Sequence, residues 1–327
     1  MLISGAADNV VGRNDLHAAK VHGKQFKGQG TSNTRLNKSR TQIQIREYQS
    51  LRLEPCVLYL VINSAYSKSY LSLHSMSNTL PHDHITPFKD SEKTKKEQVA
   101  DMFNKIAGKY DVMNRFLSAR TDIGWRKKAI RKLKKDHPAH ILDVATGTAD
   151  MALMAFKMLK PRQITGIDIS EGMLELGRKK IEKEGLEDRI HLLTGDSETI
   201  NFDNNTFDAV MVAFGVRNFE NLENGLAEMQ RVLKPGGRLI VLEFSKPRRK
   251  AVKNLYNLYM GIVAPQVARW FKQNKEAYQY LNESANAFPD RHLFTDILKK
   301  VGYTNTECTP LSLGICCIYS GIKPHHK

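Results

Sequence analysis

Apolar residues first recur with a regular period from Lys93 onward. Val99, Met102, Phe103, Ile106 and Tyr110 stand at helical spacing, which predicts an amphipathic helix of about four turns leading into the Tyr110–Asn114 segment. A second helix is predicted over Trp125–Lys134. Strands and helices then alternate: strand Ile141–Val144, helix Met151–Met158, strand Ile164–Asp168, helix Gly172–Lys183, strand Ile190–Leu193, strand Ala209–Phe214, helix Leu222–Leu233 and strand Arg238–Glu243. The strands are near-continuous apolar runs, as expected of strands buried on both faces. The pattern therefore predicts an α/β fold, a doubly wound, mostly parallel sheet with helices on both faces. Beyond it, residues 250–286 read as helical with an interruption at Pro265, Leu293–Val301 as a helix, and Cys308 and Ile315–Ile322 as closing strands. No internal repeat is visible.

Residues 1–75 behave differently. They sustain neither period, and Gly23–Arg40 mixes Gly, Gln, Ser, Thr, Asn and Lys in a way that cannot bury a core. They are read as a disordered or non-catalytic extension, with a targeting segment as the alternative, and residues 76–327 as a single domain. The apolar stretch Val57–Ile62 is too short to span a bilayer.

Composition narrows the class. With 41% hydrophobic and 26% charged residues in 327, the chain is neither a disordered polyampholyte nor a polytopic membrane protein. The formal net charge of +16 suggests phosphate, anionic lipid or a negatively charged substrate as partner. Residues 1–75 hold 10 Lys/Arg against 4 Asp/Glu, leaving 40 against 30 in the rest, so both pieces are basic. Four cysteines without a CxxC pair supply neither a disulfide framework nor a zinc site, and no metal is expected.

The strand Ile141-Leu142-Asp143-Val144 runs into Ala145-Thr146-Gly147-Thr148-Ala149-Asp150. In a doubly wound sheet the ligand sits beyond the carboxyl ends of the strands, where a turn of small residues lets backbone amides approach it. A nicotinamide fingerprint would read G-x-G-x-x-G. The spacing here, small-x-Gly-x-small after an acidic strand residue, resembles the first motif of class I S-adenosylmethionine-dependent methyltransferases, with Ala145 and Ala149 where that motif has its outer glycines. A tight βα turn without a ligand is the alternative for this motif alone. Asp168 ends the second strand about 20 residues further on, where a carboxylate can accept from both hydroxyls of a ribose, and Gly195-Asp196-Ser197 ends the third. The resemblance implies S-adenosyl-L-methionine as cofactor, with Asp168 on its ribose, Asp196 and Ser197 on its adenine, and Thr148 with the Gly147 backbone on its methionine part.

Three further segments resemble one family. Tyr110-Asp111-Val112-Met113-Asn114 followed by Ser118 and Trp125, then Phe214-Gly215-Val216-Arg217-Asn218, then Arg231–Arg238 leading to Leu242-Glu243-Phe244-Ser245, are similar to signatures of the menaquinone/ubiquinone biosynthesis C-methyltransferases. The Lys-Pro-Gly-Gly turn is common to many class I methyltransferases; the YDxMN and FGxRN pair is the specific part. Asp122 stands where that family usually has His. The resemblance covers about Lys93 to Lys323 and implies a seven-stranded, Rossmann-like class I methyltransferase fold with extra N-terminal helices (93–135), a cofactor-binding core (139–245), a helical lid over the substrate (250–290) and a closing helix and strands (291–323).

The activity implied is C-methylation of the quinol ring of demethylmenaquinol to menaquinol. A 2-polyprenyl-6-methoxy-1,4-benzoquinol of ubiquinone biosynthesis is the alternative acceptor. The ring carbon is a poor nucleophile until a hydroxyl ionises, and a phenolic pKa lies near 10. Arg217, just past the fourth strand, would favour the phenolate with a fixed charge and cannot itself be the base. Tyr110 and Asp111 are candidates for orienting the ring and receiving the proton, and Asn218 for fixing a quinol oxygen. The plainer readings are a helix-end core residue for Tyr110, a helix cap for Asp111 and a turn former for Asn218. Asp208, opening a strand, is read as structural.

A polyprenyl quinol also needs an apolar channel. Leu255–Val263, with Trp270 and Phe271, offer an apolar and aromatic surface that serves as core or as membrane contact, and Arg248-Arg249-Lys250 form a basic cluster beside it. The expected setting is cytoplasmic, peripheral to the inner face of the membrane with transient surface contact, or alternatively the mitochondrial matrix; a homodimer is left open. The bacterial look of the leader from Met76 and of Gly314-Ile315 and Tyr319 favours menaquinone. An RNA or DNA methyltransferase would show an Asn/Asp-Pro-Pro-aromatic group after the fourth strand, and the chain has Phe214–Asn218 there, so no nucleic-acid partner is expected.

Overall fold

The computed structural model describes residues 80–89, 91–118, 120–248, 254 and 275–325. Strands β1 (His140–Val144), β2 (Gln163–Asp168), β3 (Ile190–Thr194), β4 (Phe207–Ala213), β5 (Leu233–Phe244), β6 (Thr304–Leu311) and β7 (Cys316–Ile322) form one sheet in the order β3-β2-β1-β4-β5-β7-β6. The first five are parallel, and β7 enters antiparallel between β5 and β6. The seven-stranded α/β architecture expected from the sequence is thus present.

Helices α1 (Lys95–Leu117), α2 (Thr121–Arg131), α3 (Asp150–Leu159), α4 (Glu171–Lys183), α5 (Leu222–Val232), α6 (Lys275–Ala287) and α7 (His292–Val301) surround it. Alternation along each strand sends apolar side chains to both faces. Val210 and Val212 of β4, with Leu239 and Val241 of β5, pack on one face with Leu226 and Met229 of α5 and Phe294 and Leu298 of α7. Ala209 and Met211, with Ile240 and Leu242, pack on the other with Trp125 and Ile130 of α2 and Met151 and Ala155 of α3. A third cluster joins α1, α4 and α6 through Val99, Met102, Ile106, Met173 and Tyr280.

Three boundaries differ from the sequence reading. Helix α1 does not stop before Tyr110–Asn114 but continues to Leu117, because nothing from Lys109 to Leu117 breaks a helix and Arg115 near its end is anchored by Asp122 and Asp150. Tyr110 and Asp111 are therefore interior helix residues, and Asp111 is no cap. The second helix ends at Arg131, and a separate 3-10 turn covers Lys134–Asp136. Strand β5 begins at Leu233: pairing jumps from Phe207↔Leu233 to Ala209↔Arg238, so Lys234–Gly237 loop out of register, with Gly236 at φ +78°. Asp208 ties this end of the sheet together, accepting from the amides of Ala139 and His140 and from Lys234 Nζ. Pro265 and the apolar stretches Leu255–Val263 and Trp270–Phe271 lie outside the described residues, as do residues 1–79.

Candidate active site

The turn after β1 sets the geometry. Ala145, Gly147 and Ala149 all take left-handed backbone, at φ 52°, 57° and 63°. An alanine in that region costs about 1–2 kcal/mol, which is why glycine is the commoner choice at the two outer positions. At Gly147 the space where a Cβ would stand is open, so its bare backbone faces the cleft. Its N–H donates to Asp168 Oδ2 at 2.8 Å, and the amide of Ser170 donates to Oδ1 at 2.9 Å. Burial still pushes the Asp168 carboxyl up to about 6. Asp143 on β1 is buried, accepts from Thr146 Oγ1 at 2.7 Å, and is pushed up by burial to about 7.

Beyond the carboxyl ends of β1 to β4 lies a cleft with about 660 Å³ of space between its lining atoms. It brings together Gly147, Asp168, Asp196, Ser197, Tyr110 and Asn218, six of the nine residues expected from the sequence. Its roof is α1, whose Lys96, Val99, Phe103 and Tyr110 share one face. Polar contacts from two of its residues hold the roof down. Lys96 Nζ lies 2.5 Å from Asp196 Oδ2, and Asn104 Oδ1 accepts from Ser170 Oγ and from the Gly172 amide at the start of α4. Lys96, Phe103, Met173 and Phe219 line the cleft and were not foreseen. The signal for the first two was in the sequence, in the continuation of the Val99–Tyr110 stripe.

Thr148 and Asp111 sit in an adjoining recess instead. Thr148 Oγ1 donates to Asp111 Oδ1 at 2.7 Å and accepts from Lys180 Nζ at 2.9 Å, while Lys180 also pairs with Asp111 and Asp150. The Thr148 hydroxyl is thus committed to this network rather than to the cleft, and both Asp111 oxygens have partners. Asp122 likewise joins a charge network: it pairs with Arg115, accepts from Ser118 Oγ at 2.8 Å and lies 3.7 Å from Arg126 Nε.

Arg217 follows β4 in a short 3-10 turn, Val216–Asn218, and is buried behind the cleft wall. Its Nη1 donates to Glu243 Oε1 at 2.7 Å and to the Phe214 carbonyl at 2.8 Å, and its guanidinium lies over the Phe244 ring. Glu243, buried at the end of β5, is the carboxylate the sequence reading left without a role; burial raises its pKa and Arg217 opposes the rise. Asn218 Oδ1 accepts from the Tyr280 hydroxyl of α6 at 3.2 Å. Burial raises the pKa of both Tyr110 and Tyr280, and the nearby Arg217 charge pulls each back. At Gly215 any Cβ would stand 2.6 Å from that of Ala145, so β1 and β4 can close on the cleft here only without a side chain. The half-buried carboxylate of Asp168, the open backbone at Gly147 and the acceptors at Asp196 are a donor and acceptor set that fits a nucleoside-bearing cofactor.

The model of the ubiE/COQ5 methyltransferase family matches residues 91–323. The chain belongs to the ubiE/COQ5 methyltransferase family. Its curated relatives include the demethylmenaquinone methyltransferase of Bacteroides fragilis, 43% identical over 74% of this chain and 99% of that one. The ubiquinone/menaquinone biosynthesis C-methyltransferase UbiE of Geotalea daltonii is 43% identical over 72% of this chain and 100% of that one. Among solved structures, a chain of the complex between the Haloferax volcanii Trm112 methyltransferase activator and a methyltransferase is 15% identical, with a TM-score of 0.50 over 70% of this chain and 99% of that one, a likeness of fold alone. The cleft-lining residues and the roof helix α1 all lie within the matched range.

Proposed function

We propose that this methyltransferase uses S-adenosylmethionine to methylate a ring carbon of demethylmenaquinol, yielding menaquinol. The observation that carries the reading is a cleft lined by Tyr110, Asn218, Asp168, Asp196 and Ser197, with Tyr280 bonded to Asn218 and the Arg217 charge felt by both tyrosines from behind the wall. The name of the Bacteroides relative supports the acceptor.

S-adenosylmethionine supplies the methyl group. The chain has to hold the quinol ring in line and favour its ionised form. Arg217 stays protonated and sets a fixed positive charge beside the acceptor hydroxyl; Glu243 holds the guanidinium in place from behind. Asn218, steadied by Tyr280, can donate its amide to the quinol oxygen, and Tyr110 packs the ring from the roof. Asp168 holds the ribose and Asp196 with Ser197 the adenine. Asp111 serves as the anchor of Lys180 and Thr148, and the proton leaves through water rather than to that carboxylate.

The enzyme meets its lipid-soluble acceptor at the inner face of the membrane. Residues 76–327 keep a net charge of +10 suited to an anionic surface, and among the described residues no helix is long and apolar enough to cross a bilayer. Residues 1–75 take no part in the chemistry, so their deletion should leave turnover within about twofold, a margin of roughly 0.4 kcal/mol in barrier height.

Purified enzyme should methylate reduced demethylmenaquinone, detected by mass spectrometry of the product quinone. The Geotalea relative's name covers both quinones, so a 2-polyprenyl-6-methoxy-1,4-benzoquinol belongs in the same assay. Turnover on that substrate alone would move the assignment to the ubiquinone branch, and turnover on neither would overturn it. Arg217→Ala should lower kcat by at least about a hundredfold while changing cofactor affinity by less than about threefold. Equal losses of both would place Arg217 in cofactor binding.

A further inference from the structure

At the opposite end of the sheet from the first cleft lies a second, with about 970 Å³ of space between its lining atoms. It opens at the amino-terminal ends of the parallel strands, between the end of α2, the 3-10 turn after it, and the β5, β6 and β7 edge. Arg131, Lys132, Lys134, Lys135, His137 and Arg238 line it, with Glu307 as its single carboxylate. Lys132 pairs with Glu307 at 3.1 Å and Arg238 with Asp136 at 2.5 Å. Arg131, Lys134 and Lys135 form no ion pair with any described residue. Glu307 also feels the charge of Lys135, so one carboxylate answers several cations and the concave surface keeps a positive excess that favours an anion.

A second feature points to a ligand independently of the charge. Ser320 of β7 lines the same cleft, is 1% exposed, and its Oγ has no hydrogen-bond partner. An unsatisfied buried hydroxyl is disfavoured, and here the cleft offers the place from which an acceptor could reach it. Ser320 stands opposite Ile240 on β5 and Glu307 on β6, and Glu307 lines the cleft with it. An anion accepting from this hydroxyl would have the cationic rim around it.

We propose that this cleft binds a phosphate-bearing polyanion of at least two negative charges, held by Arg131, Lys134 and Lys135 and oriented by Ser320 Oγ–H. The chemistry is that of a diphosphate, presented either by a soluble ester or by an anionic lipid headgroup. Because the cleft lies at the far end of the strands, it is a site separate from the one that holds the methyl donor.

Inorganic pyrophosphate is the probe. Calorimetric titration of the full chain at low salt should show binding that weakens steeply as salt is raised. Lys134→Gln with Lys135→Gln should weaken it at least about tenfold, and Ser320→Ala about tenfold, while saturating S-adenosylhomocysteine leaves it unchanged. Ser320→Ala removes an unpaired hydroxyl, so the variant should melt no lower than wild type, which separates loss of binding from loss of folding. Flotation with vesicles containing cardiolipin, whose headgroup carries two phosphates, tells the two sources apart: retention that pyrophosphate abolishes and that the lysine variant lacks assigns a lipid headgroup, and its absence alongside pyrophosphate binding assigns a soluble ester. Binding by neither probe, binding indifferent to the Lys134, Lys135 and Ser320 substitutions, or displacement by S-adenosylhomocysteine would overturn the proposal.

Discussion

Replacing Glu243 by Gln removes one charge from an ion pair whose side chains are 4% exposed for Arg217 and 0% for Glu243. The amide oxygen can still accept from Arg217 Nη1 and from the Phe244 backbone, the two bonds the carboxylate accepts through Oε1. What changes is that the guanidinium stays buried without a counter-charge. Removing one partner of a buried pair costs about 3–5 kcal/mol, and the retained hydrogen bonds place this case near the lower end, at about 3 kcal/mol. For a domain of this size each kcal/mol moves Tm by about 2–4 °C, so thermal unfolding followed by circular dichroism should show a drop of about 6–12 °C. Arg217→Met combined with Glu243→Gln leaves neither charge stranded and should recover most of that drop, giving a coupling of about 2 kcal/mol or more in a double-mutant cycle with the two single variants. A catalytic signature accompanies the structural one. With its counter-ion gone, Arg217 favours the phenolate more strongly, so the pH at which kcat reaches its plateau should fall in Glu243→Gln. An unchanged Tm in the single variant, or a double variant as unstable as the two singles added together, would refute the pairing as described.

The two raised carboxyls give a pH test. Asp143 is raised by burial to about 7 and Asp168 to about 6, both above their ordinary values, so each contributes most stability below about pH 4 and loses it as pH rises through its folded value. Asp143→Asn should therefore match wild type in urea unfolding at pH 4 and exceed it by a few kcal/mol at pH 8; a variant less stable than wild type at pH 8 would contradict the burial argument. Asp168→Asn should keep its bond from the Gly147 amide but lose charge and one acceptor, lowering affinity for S-adenosylhomocysteine about ten- to a hundredfold by calorimetry, the loss expected for hydrogen bonds to a charged group. An unaltered dissociation constant would remove Asp168 from the cofactor site.

The sequence by itself determined the fold class and the end of the sheet at which the lined cleft opens. Strand and helix periods survive in β1, β2, β4 and α3 to α5 within a few residues, because a strand buried on both faces must be apolar throughout and a covering helix must be apolar on one side. The strand-end residues Gly147, Asp168, Asp196 and Ser197 were legible for the same reason: parallel strands deliver their carboxyl ends to one edge, so chain position already implies spatial neighbourhood. Tertiary structure alone decided the partners. Whether Thr148 faces a ligand or Lys180, and whether Asp111 is free or paired, depends on contacts between α1, α3 and α4 that no local period encodes. Glu243 was visible as a residue but not as the counter-ion of Arg217, because the two lie 26 positions apart and meet only once β4 and β5 pair. Charge was legible only as a sum. Its division into cations paired with carboxylates and the unpaired group around Ser320 is set by the distance between side chains, which the folded sheet fixes and the order of residues does not.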